Sequence, residues 1–450
     1  MVDSRTKAPR PDPDPIDAAA QVLSRAGVRA AQRVCVALSG GLDSVVLLDL
    51  MQRLQERFGY VLSAAHVHHG ISPNADAWSE FCADLCARRG IGFHALAVTV
   101  PECADEGFEA AARKLRHGVL RRLPADWLAY GHHREDQAET LLFRLLRGCG
   151  VRGAAAMAAY ETGAPGRLRP LLAVPRNAIR ACAHARGLEW IEDESNLDRK
   201  HARNWLRHEI LPRIETSFPG AARTLGRAAA LFRETEGLLE DLARIDRAAC
   251  GGDSLSRVAL LGLPEARLRN LLRHEIARAG AESPSHEHLS EVVRQLTQIG
   301  GRPLRFRLGR LACCVYRDRF WLEPFEIRSV QPVRWAGEAQ LCWGDGTVRF
   351  ESQNGSGVAT DRLMGQPVSL VPRWPGLAMR VHADRPTRTF KNLCQEAGVP
   401  EWLRDRLPVL QVGTEAVWIG GIGLAADWAC PVGAGGMLPR WMPGGARVDQ

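Results

Sequence analysis

Short apolar runs rich in β-formers alternate with helix-spaced segments through the first half of the chain. Arg33 to Leu38 (RVCVAL) is the first such run; Ser-Gly-Gly-Leu-Asp-Ser follows at once, and Val45 to Arg57 then places its apolar residues at helical spacing. The pattern repeats, predicting a strand over Leu62–Val67, a helix over Ala77–Arg89, a strand over Gly92–Val100, a helix over Glu109–Arg122 and a short strand over Trp127–Tyr130. Two further stretches of mixed α and β character, Pro175–Trp190 and Asn204–Ile214, complete the region before Ser217-Phe218-Pro219-Gly220 breaks the chain. Strands alternating with helices predict an α/β fold with a doubly wound parallel sheet, whose chemistry lies at the carboxyl ends of its strands.

The texture changes after that break. Ala221 to Ala249 is an Arg/Glu/Leu/Ala-rich helix pattern, and helices are predicted again at Pro264–Ala279 and Ser285–Gln298. Beyond Gly300-Gly301 come short strands and turns, among them Arg305–Leu308, Cys314–Leu322 and Thr347–Glu351. The predicted division is a tail and leading helix at 1–30, a catalytic domain at 31–217, a helical substrate-binding domain at 218–325, a linker with short strands at 326–365, a small α+β C-terminal domain at 366–438 and a tail at 439–450.

Composition narrows the class. A chain of 450 residues exceeds what one core organises, and 46% apolar with 24% charged residues is ordinary for a soluble protein. Met1 to Pro15 is polar with four prolines and reads as a disordered tail, with no secretory signal, and Val417–Leu438 carries Asp427 and too many glycines to span a membrane. Twelve cysteines without a CxxC pair predict reduced, mostly buried thiols in a cytoplasmic protein. The net charge of +8 is spread as about +3, +4 and +1 over residues 1–217, 218–325 and 326–450, so binding to a polyanion must come from local patches. Of the basic residues all but four are arginine, whose planar fork suits phosphate.

Ser39-Gly40-Gly41-Leu42-Asp43-Ser44, between a predicted strand and helix, carries the first chemistry. Two glycines let the backbone turn tightly and approach a ligand, and the helix N-terminus beyond them favours an anion. Asp43 puts a carboxylate into this phosphate nest, which repels the anion unless a cation bridges the two; Mg2+ on the phosphates of ATP is that cation. His132 and His133 end a strand at the same edge, with Asp136 and Glu139 on one helix face just beyond, a setting for proton movement near neutral pH or for a capped, salt-bridged helix start. Arg203 and Arg207, four apart, make one cationic stripe fit for triphosphate or RNA backbone, or else for pairing with Glu209 on a solvated face. Arg380, Arg385, Arg388 and Lys391 form a local basic patch, either an RNA contact or a plain surface turn.

SGGLDS resembles the PP-loop of the ATP pyrophosphatase superfamily, a Rossmann-like fold whose members activate substrates by adenylation. Later segments resemble, in order, the elements of the tRNA(Ile)-lysidine synthases. They are His66-Val-His68-His69-Gly70-Ile71, then Glu109 to Arg113, then Gly131 to Thr140 followed by Arg147-Gly148-Cys149-Gly150-Val-Arg-Gly153. Arg169-Pro170-Leu171-Leu172, Glu192 to Asn196, Arg203-Asn204-Trp-Leu-Arg207 with Pro212, and Phe390 to Arg404 continue the series. The resemblance spans about residues 33 to 430; Ser72 stands where relatives often carry arginine, and RGCG replaces the usual RGSG.

The resemblance implies a ligase that joins free L-lysine to C2 of the wobble cytidine in the CAU anticodon of tRNA(Ile), using ATP through an adenylated base. It implies that Ser39, Gly40, Gly41, Leu42, Asp43 and Ser44 bind ATP, with Asp43 on Mg2+. Asp136 is the first candidate to bind or deprotonate the lysine, and His133 the second. Arg113 and Arg203 are expected on ATP or the anticodon loop, and Arg147, Arg207, Arg380, Arg388 and Lys391 on tRNA, with the domain at 218–325 expected to bind substrate or tRNA and that at 366–438 to bind tRNA. A base-thiolating relative is the alternative enzyme, opposed by the lack of CxxC, and a non-catalytic tRNA-binding protein the alternative of another class. The oligomeric state stays open, a homodimer included.

Overall fold

The computed structural model describes residues 12–68, 70, 74–98, 108–192, 202–252, 254–282, 284–298, 300, 302–326 and 329–443, with the backbone alone at 108–113. The chain forms two compact units, divided at Leu238/Leu239 within one long helix.

The first unit is built on α1 (Pro15–Ala26), β1 (Arg33–Ala37), α2 (Leu42–Phe58), β2 (Val61–His68), α3 (Ala75–Arg88), β3 (Gly92–Ala97), α4 (Phe108–Leu120), β4 (Trp127–Ala129), α5 (Arg134–Leu146), α6 (Val151–Ala154), β5 (Tyr160–Glu161), β6 (Gly166–Leu168) and α7 (Arg176–Ala185). The sheet order is β3-β2-β1-β4-β6-β5, parallel except for β5. Alternation along β1 splits its residues between two cores. Val34 and Val36 face a large cluster with α1, α2, α3 and α7, whereas Cys35 joins Val67, Leu120 and Leu128 on the other face. The predicted α/β doubly wound sheet is therefore present. The leading helix α1 buries Ala19 and Leu23 in the larger core, and Asp12 pairs with Arg134 and Arg223, so order begins earlier than the tail reading to Pro15 had it. Residues 1–11 lie outside the described residues.

Asn204–Ile214 contains no strand. It is one helical run: α8 (Ala202–Trp205), a π-helical turn over Leu206–Ile210, and α9 (Leu211–Ser217). The Leu211 N–H bonds to Leu206 O, five residues back, and Pro212 next to it offers no N–H, which accounts for the widened turn. The long helix α10 (Ala221–Ala249) follows, its first half packing Ala229, Leu225 and Phe232 against Leu141 of α5 and Ala154 of α6.

The second unit holds two modules. In the first, β7 (Leu255–Ser256), α11 (Arg257–Leu261), α12 (Glu265–Arg278), α13 (His286–Gln298), β8 (Leu304–Leu308), β9 (Leu311–Tyr316) and β10 (Arg319–Pro324) enclose one core, with sheet order β7-β10-β9-β8. The single predicted strand over Cys314–Leu322 is two strands, because Arg317 takes a left-handed φ of 54° and turns the chain.

The next module begins with β11 (Val333–Trp335), β12 (Gln340–Trp343), β13 (Gly346–Asn354), β14 (Val358–Ala359), α14 (Thr360–Leu363) and β15 (Val368–Val371). It goes on through β16 (Ala378–Met379), β17 (Arg388–Thr389), α15 (Phe390–Glu396), α16 (Glu401–Arg404), β18 (Val409–Val412), β19 (Glu415–Ile419), β20 (Gly423–Leu424) and β21 (Gly435–Met442). Its sheets run β11-β15-β18-β19-β20 and β12-β13-β21-β14. Residues 326–365 are thus no linker: β11 pairs with β15, and β13 pairs with β21 from Thr347↔Met442 to Asn354↔Gly435. Val348, Phe350 and Val358 lie in the same core as Val368, Leu410 and Met437, so this stretch was kept in the module by its buried alternate positions. Among the described residues no helix is long and apolar enough to cross a membrane.

Candidate active site

β2 lies on one side of β1 and β4 on the other, so a crevice opens at the carboxyl ends of β1 and β4, where the strand order reverses. The chain leaves β1 through Leu38, whose N–H still bonds to Ala65 O at 2.8 Å, and turns into α2. Gly40 holds a φ of 86°, and a Cβ there would meet Ile191 Cδ1 at 2.9 Å, so both conformation and space demand glycine. Ser44 closes the turn: its Oγ accepts from the Ser39 N–H at 3.2 Å, donates to Gly41 O at 2.9 Å and lies 3.1 Å from Ser39 Oγ. Gly41 is the N-cap and no side chain caps α2, which leaves the positive end of a 17-residue helix to an external anion.

The loop after β4 presses on this turn. Gly131 packs against it so closely that a Cβ would stand 3.0 Å from the Asp43 carbonyl carbon and oxygen and 3.2 Å from Ser44 N. Backbone atoms cannot yield cheaply, so Gly131→Ala is expected to force the two loops apart by overpacking worth about 1–3 kcal/mol. Turnover should fall at least about tenfold through the misplaced Asp43 while circular dichroism stays native; unchanged turnover would mean the loops do not need this contact.

His133, 3% exposed, caps α5 behind Asp43. Its Nε2 lies 3.8 Å from Asp43 Oδ2 and 3.4 Å from Asp136 Oδ2, and its Nδ1 lies 3.0 Å from Glu135 Oε2. Burial opposes charge on this imidazole, but Glu135, Asp136 and Asp43 outweigh it and raise its pKa above the ordinary histidine value. Asp136 Oδ2 accepts from the His133 N–H at 2.9 Å and Oδ1 pairs with Arg207 Nη2; despite burial, His133 and Arg207 lower its pKa. Glu139 takes the same guanidinium, Arg207 Nε donating to its Oε2 at 3.0 Å, and burial raises the Glu139 carboxyl.

Asp43 differs from its neighbours. Burial raises its carboxyl, with His133 and Arg176 pulling the other way, and Arg176 Nε stands 4.0 Å from Oδ2. Its Oδ1 is buried and receives no hydrogen bond. An orphaned carboxylate oxygen at the positive end of a helix is a ready cation ligand. Among the described residues no group of three His, Cys, Asp or Glu stands ready to hold a metal unaided. A cation here would share its coordination between Asp43 and ligand phosphates, which is how Mg2+ is ordinarily bound.

The other sequence candidates fall in several places. Arg207 was expected on tRNA; it instead points inward and bridges Asp136 and Glu139, held there by the π-helical turn. Arg203 and Arg147 converge on one ring, each guanidinium 5.3 Å from the Phe143 centroid, with Arg147 exposed. The Arg113 side chain, His69, Ser72 and residues 193–201 lie outside the described residues. Arg380 pairs with Asp427, Arg388 stands 3.7 Å from Glu396, and Lys391 is exposed on α15. His66 Nδ1 donates to Leu38 O at 3.0 Å, and burial lowers its pKa; His68 bonds Asp76 at 3.0 Å. Sequence reading gave no role to Glu135 or Arg176, whose N–H donates to Glu135 Oε2 at 3.0 Å. The only sequence sign of Arg176 was its place after Pro175, at the start of a helix.

Fold, loop and carboxylate together define a PP-loop nucleotide-binding protein, and residues 15–214 match the family model of the PP-loop domain. Residues 255–321 match the TilS substrate binding domain and 368–441 the TilS substrate C-terminal domain. Two similar proteins, each named tRNA(Ile)-lysidine synthase, come from Aromatoleum aromaticum (56% identical, covering 93% of this chain and 100% of that one) and Azoarcus sp. strain BH72 (54%, covering 95% of each). A third of that name, from Nitrosomonas europaea, is 37% identical over 93% of this chain and 94% of its own. The chain belongs to the tRNA(Ile)-lysidine synthase family. That membership favours neither base thiolation nor a non-catalytic role.

Proposed function

We propose that this chain uses ATP to activate the wobble cytidine of the CAU anticodon of tRNA(Ile) and joins free L-lysine to C2, giving lysidine, AMP and pyrophosphate, in the cytoplasm. The observation that carries the reading is Asp43 Oδ1, buried without a hydrogen bond at the amino end of α2 in a chain 56% and 54% identical to two relatives named tRNA(Ile)-lysidine synthase. Ser39 to Ser44 bind the ATP phosphates at that helix end, and Asp43 with those phosphates would hold Mg2+. When bound, the ion neutralises phosphate charge and orients the α-phosphate for attack.

The cytidine O2 attacks the α-phosphorus, the bond to the β-phosphate oxygen breaks, and pyrophosphate leaves. The ε-amine of lysine then attacks C2, and the C2–O bond breaks with AMP as leaving group. The amine must lose a proton to attack. Asp136 is held ionised and suits an ammonium as hydrogen-bond acceptor, so we assign lysine binding to it. Proton removal falls to Asp136 as first candidate and to His133, whose Nε2 lies 3.4 Å from Asp136 Oδ2, as second. Arg113 and Arg203 are assigned to ATP or the anticodon loop, and Arg147, Arg380, Arg388 and Lys391 to tRNA phosphates, where contacts position the RNA without reading its sequence.

The test is transfer of labelled lysine into an isoleucine tRNA transcript bearing CAU, with ATP and Mg2+. Label in the RNA, with AMP and pyrophosphate released together, is the expected result. Absence of label while ATP and pyrophosphate still exchange would overturn lysine as the nucleophile or this tRNA as its acceptor.

A further inference from the structure

α7 shares the larger core with α2, burying Ile179 and Ala183 in one cluster with Val45 and Val46. An arginine at each end of α7 meets a carboxylate of α2, and the two pairs differ. Just past the last turn, Arg186 donates to Asp49 from Nε at 2.5 Å and from Nη2 at 3.1 Å, and Arg89 Nη1 joins the same carboxylate at 3.0 Å. Asp49 is 5% exposed at the side chain, so this cluster is a structural clamp whose hydrogen bonds are made. At the first turn, Arg176 Nε stands 4.0 Å from Asp43 Oδ2, beyond a hydrogen bond. Among the described residues the Arg176 guanidinium donates to no acceptor.

Its backbone is nonetheless fixed. The Arg176 N–H donates to Glu135 Oε2 at 3.0 Å, the Arg134 N–H to Val174 O at 3.0 Å, and the Arg134 guanidinium to Ala173 O at 2.8 and 3.1 Å. Residues 173–176 are thus tied to the start of α5, next to His133, while the Arg176 side chain stays 45% exposed. Neighbouring guanidiniums are committed, Arg134 to Ala173 O and Asp12, and Arg207 to Asp136 and Glu139. An anchored arginine with an unfilled N–H fork beside a buried carboxylate suits an incoming anion. The charges of the crevice show why one is required. Asp43, Glu135, Asp136 and Glu139 are four acids, and even with His133 protonated only that ring and Arg207 offset them. Without Arg176 a polyphosphate would meet net repulsion.

We propose that Arg176 is a catalytic residue of the first step, holding the β- and γ-phosphates of ATP and then the departing pyrophosphate; this rests on the adenylation reading above. A phosphate that shares a cation with Asp43 comes within reach of a guanidinium 4.0 Å from that carboxylate. As cytidine O2 bonds to the α-phosphorus, the bond to the β-phosphate oxygen breaks and its electron pair stays on that oxygen. The Arg176 N–H groups stabilise the charge that grows there. In the lysine step AMP is the leaving group, and Arg176 has no part in it.

The experiment compares the full chain as wild type, Arg176→Ala and Arg176→Lys. Calorimetry without tRNA measures affinity for inorganic pyrophosphate with Mg2+, and separately for AMP. Arg176→Ala is expected to weaken pyrophosphate binding about tenfold, the scale of a lost hydrogen bond to a charged group, and to leave AMP unchanged. Single-turnover adenylation of an isoleucine tRNA transcript should slow about a hundredfold, with KM for lysine unchanged. Arg176→Lys keeps the charge without the fork and should fall between. Thermal melts should match wild type, because the N–H bound to Glu135 belongs to the backbone. Wild-type pyrophosphate affinity and adenylation rate in Arg176→Ala would overturn the proposal. So would an equal loss of AMP affinity, or a raised KM for lysine with adenylation intact, which would place the lysine carboxylate on Arg176. Pyrophosphate exchange present in wild type and lost in Arg176→Ala, with lysine transferred by neither, would uphold this role and overturn lysine as the nucleophile.

Discussion

Arg207→Ala is expected to cost the catalytic unit about 3–5 kcal/mol, because it leaves two buried carboxylates facing one another with no cation between them. Asp136 and Glu139 are 17% and 7% exposed at the side chain, and Arg207 Nη2 reaches both. Urea unfolding of the variant should show a midpoint well below wild type. Its pH dependence supplies the sign. Without the guanidinium the Glu139 carboxyl, already raised by burial, loses the main group that pulls it down, so between its unfolded and folded pKa the folded state binds a proton that the unfolded state releases, and stability should climb as pH is lowered through that window. In wild type the Asp136 carboxyl is lowered, and its contribution is instead lost as pH falls. The affinity of folded Arg207→Ala for tRNA should stay within a few-fold of wild type. A large loss of affinity with an unchanged urea midpoint would return Arg207 to the RNA.

Asp43→Asn should separate stability from activity. The amide keeps the shape and removes the charge that burial disfavours. Turnover should drop about a thousandfold, the scale set by losing several kcal/mol of charge stabilisation at the transferring phosphoryl group. The ligand-free protein should become more stable at pH 7, by about 1 kcal/mol, as happens when a functional charge is taken from a site that pays for it. The raised carboxyl predicts the pH course. Between its unfolded value and its raised folded value, native Asp43 keeps a proton that the unfolded chain has lost, so wild-type stability declines as pH rises through that window. The variant should lack that decline. A variant less stable than wild type at pH 7 would mean that Asp43 already has a compensating partner.

The catalytic half was legible because its signals are local. Apolar runs such as Arg33–Leu38 and the glycines of SGGLDS state a strand and a turn without reference to the rest of the chain. The hairpin of β5 and β6 was missed: two and three residues are too few to show a period, and Gly166 earns its place only by lying against Trp127, whose ring would stand 2.4 Å from a Cβ. Residues 326–365 were read as a linker because their strands find partners far along the chain, as β13 does in β21. Arg207 was read outward because helical spacing from Arg203 assumes 3.6 residues per turn, and the π-helical turn beginning at Leu206 breaks that count. The electrostatics of Asp43 were out of reach for the same reason: its neighbours His133 and Arg176 come from strand ends and helix starts that only the sheet order brings together.

The pairing of β13 with β21 has a consequence for synthesis. A ribosome releases the catalytic unit, and then β12 and β13, well before it makes Gly435–Met442, so the eight-residue edge of β13 waits exposed for a strand still inside the exit tunnel. A chain cut short before Gly435 would carry every group of the catalytic crevice, yet present an open strand edge, and its fate in the cell would be aggregation or proteolysis and not partial activity.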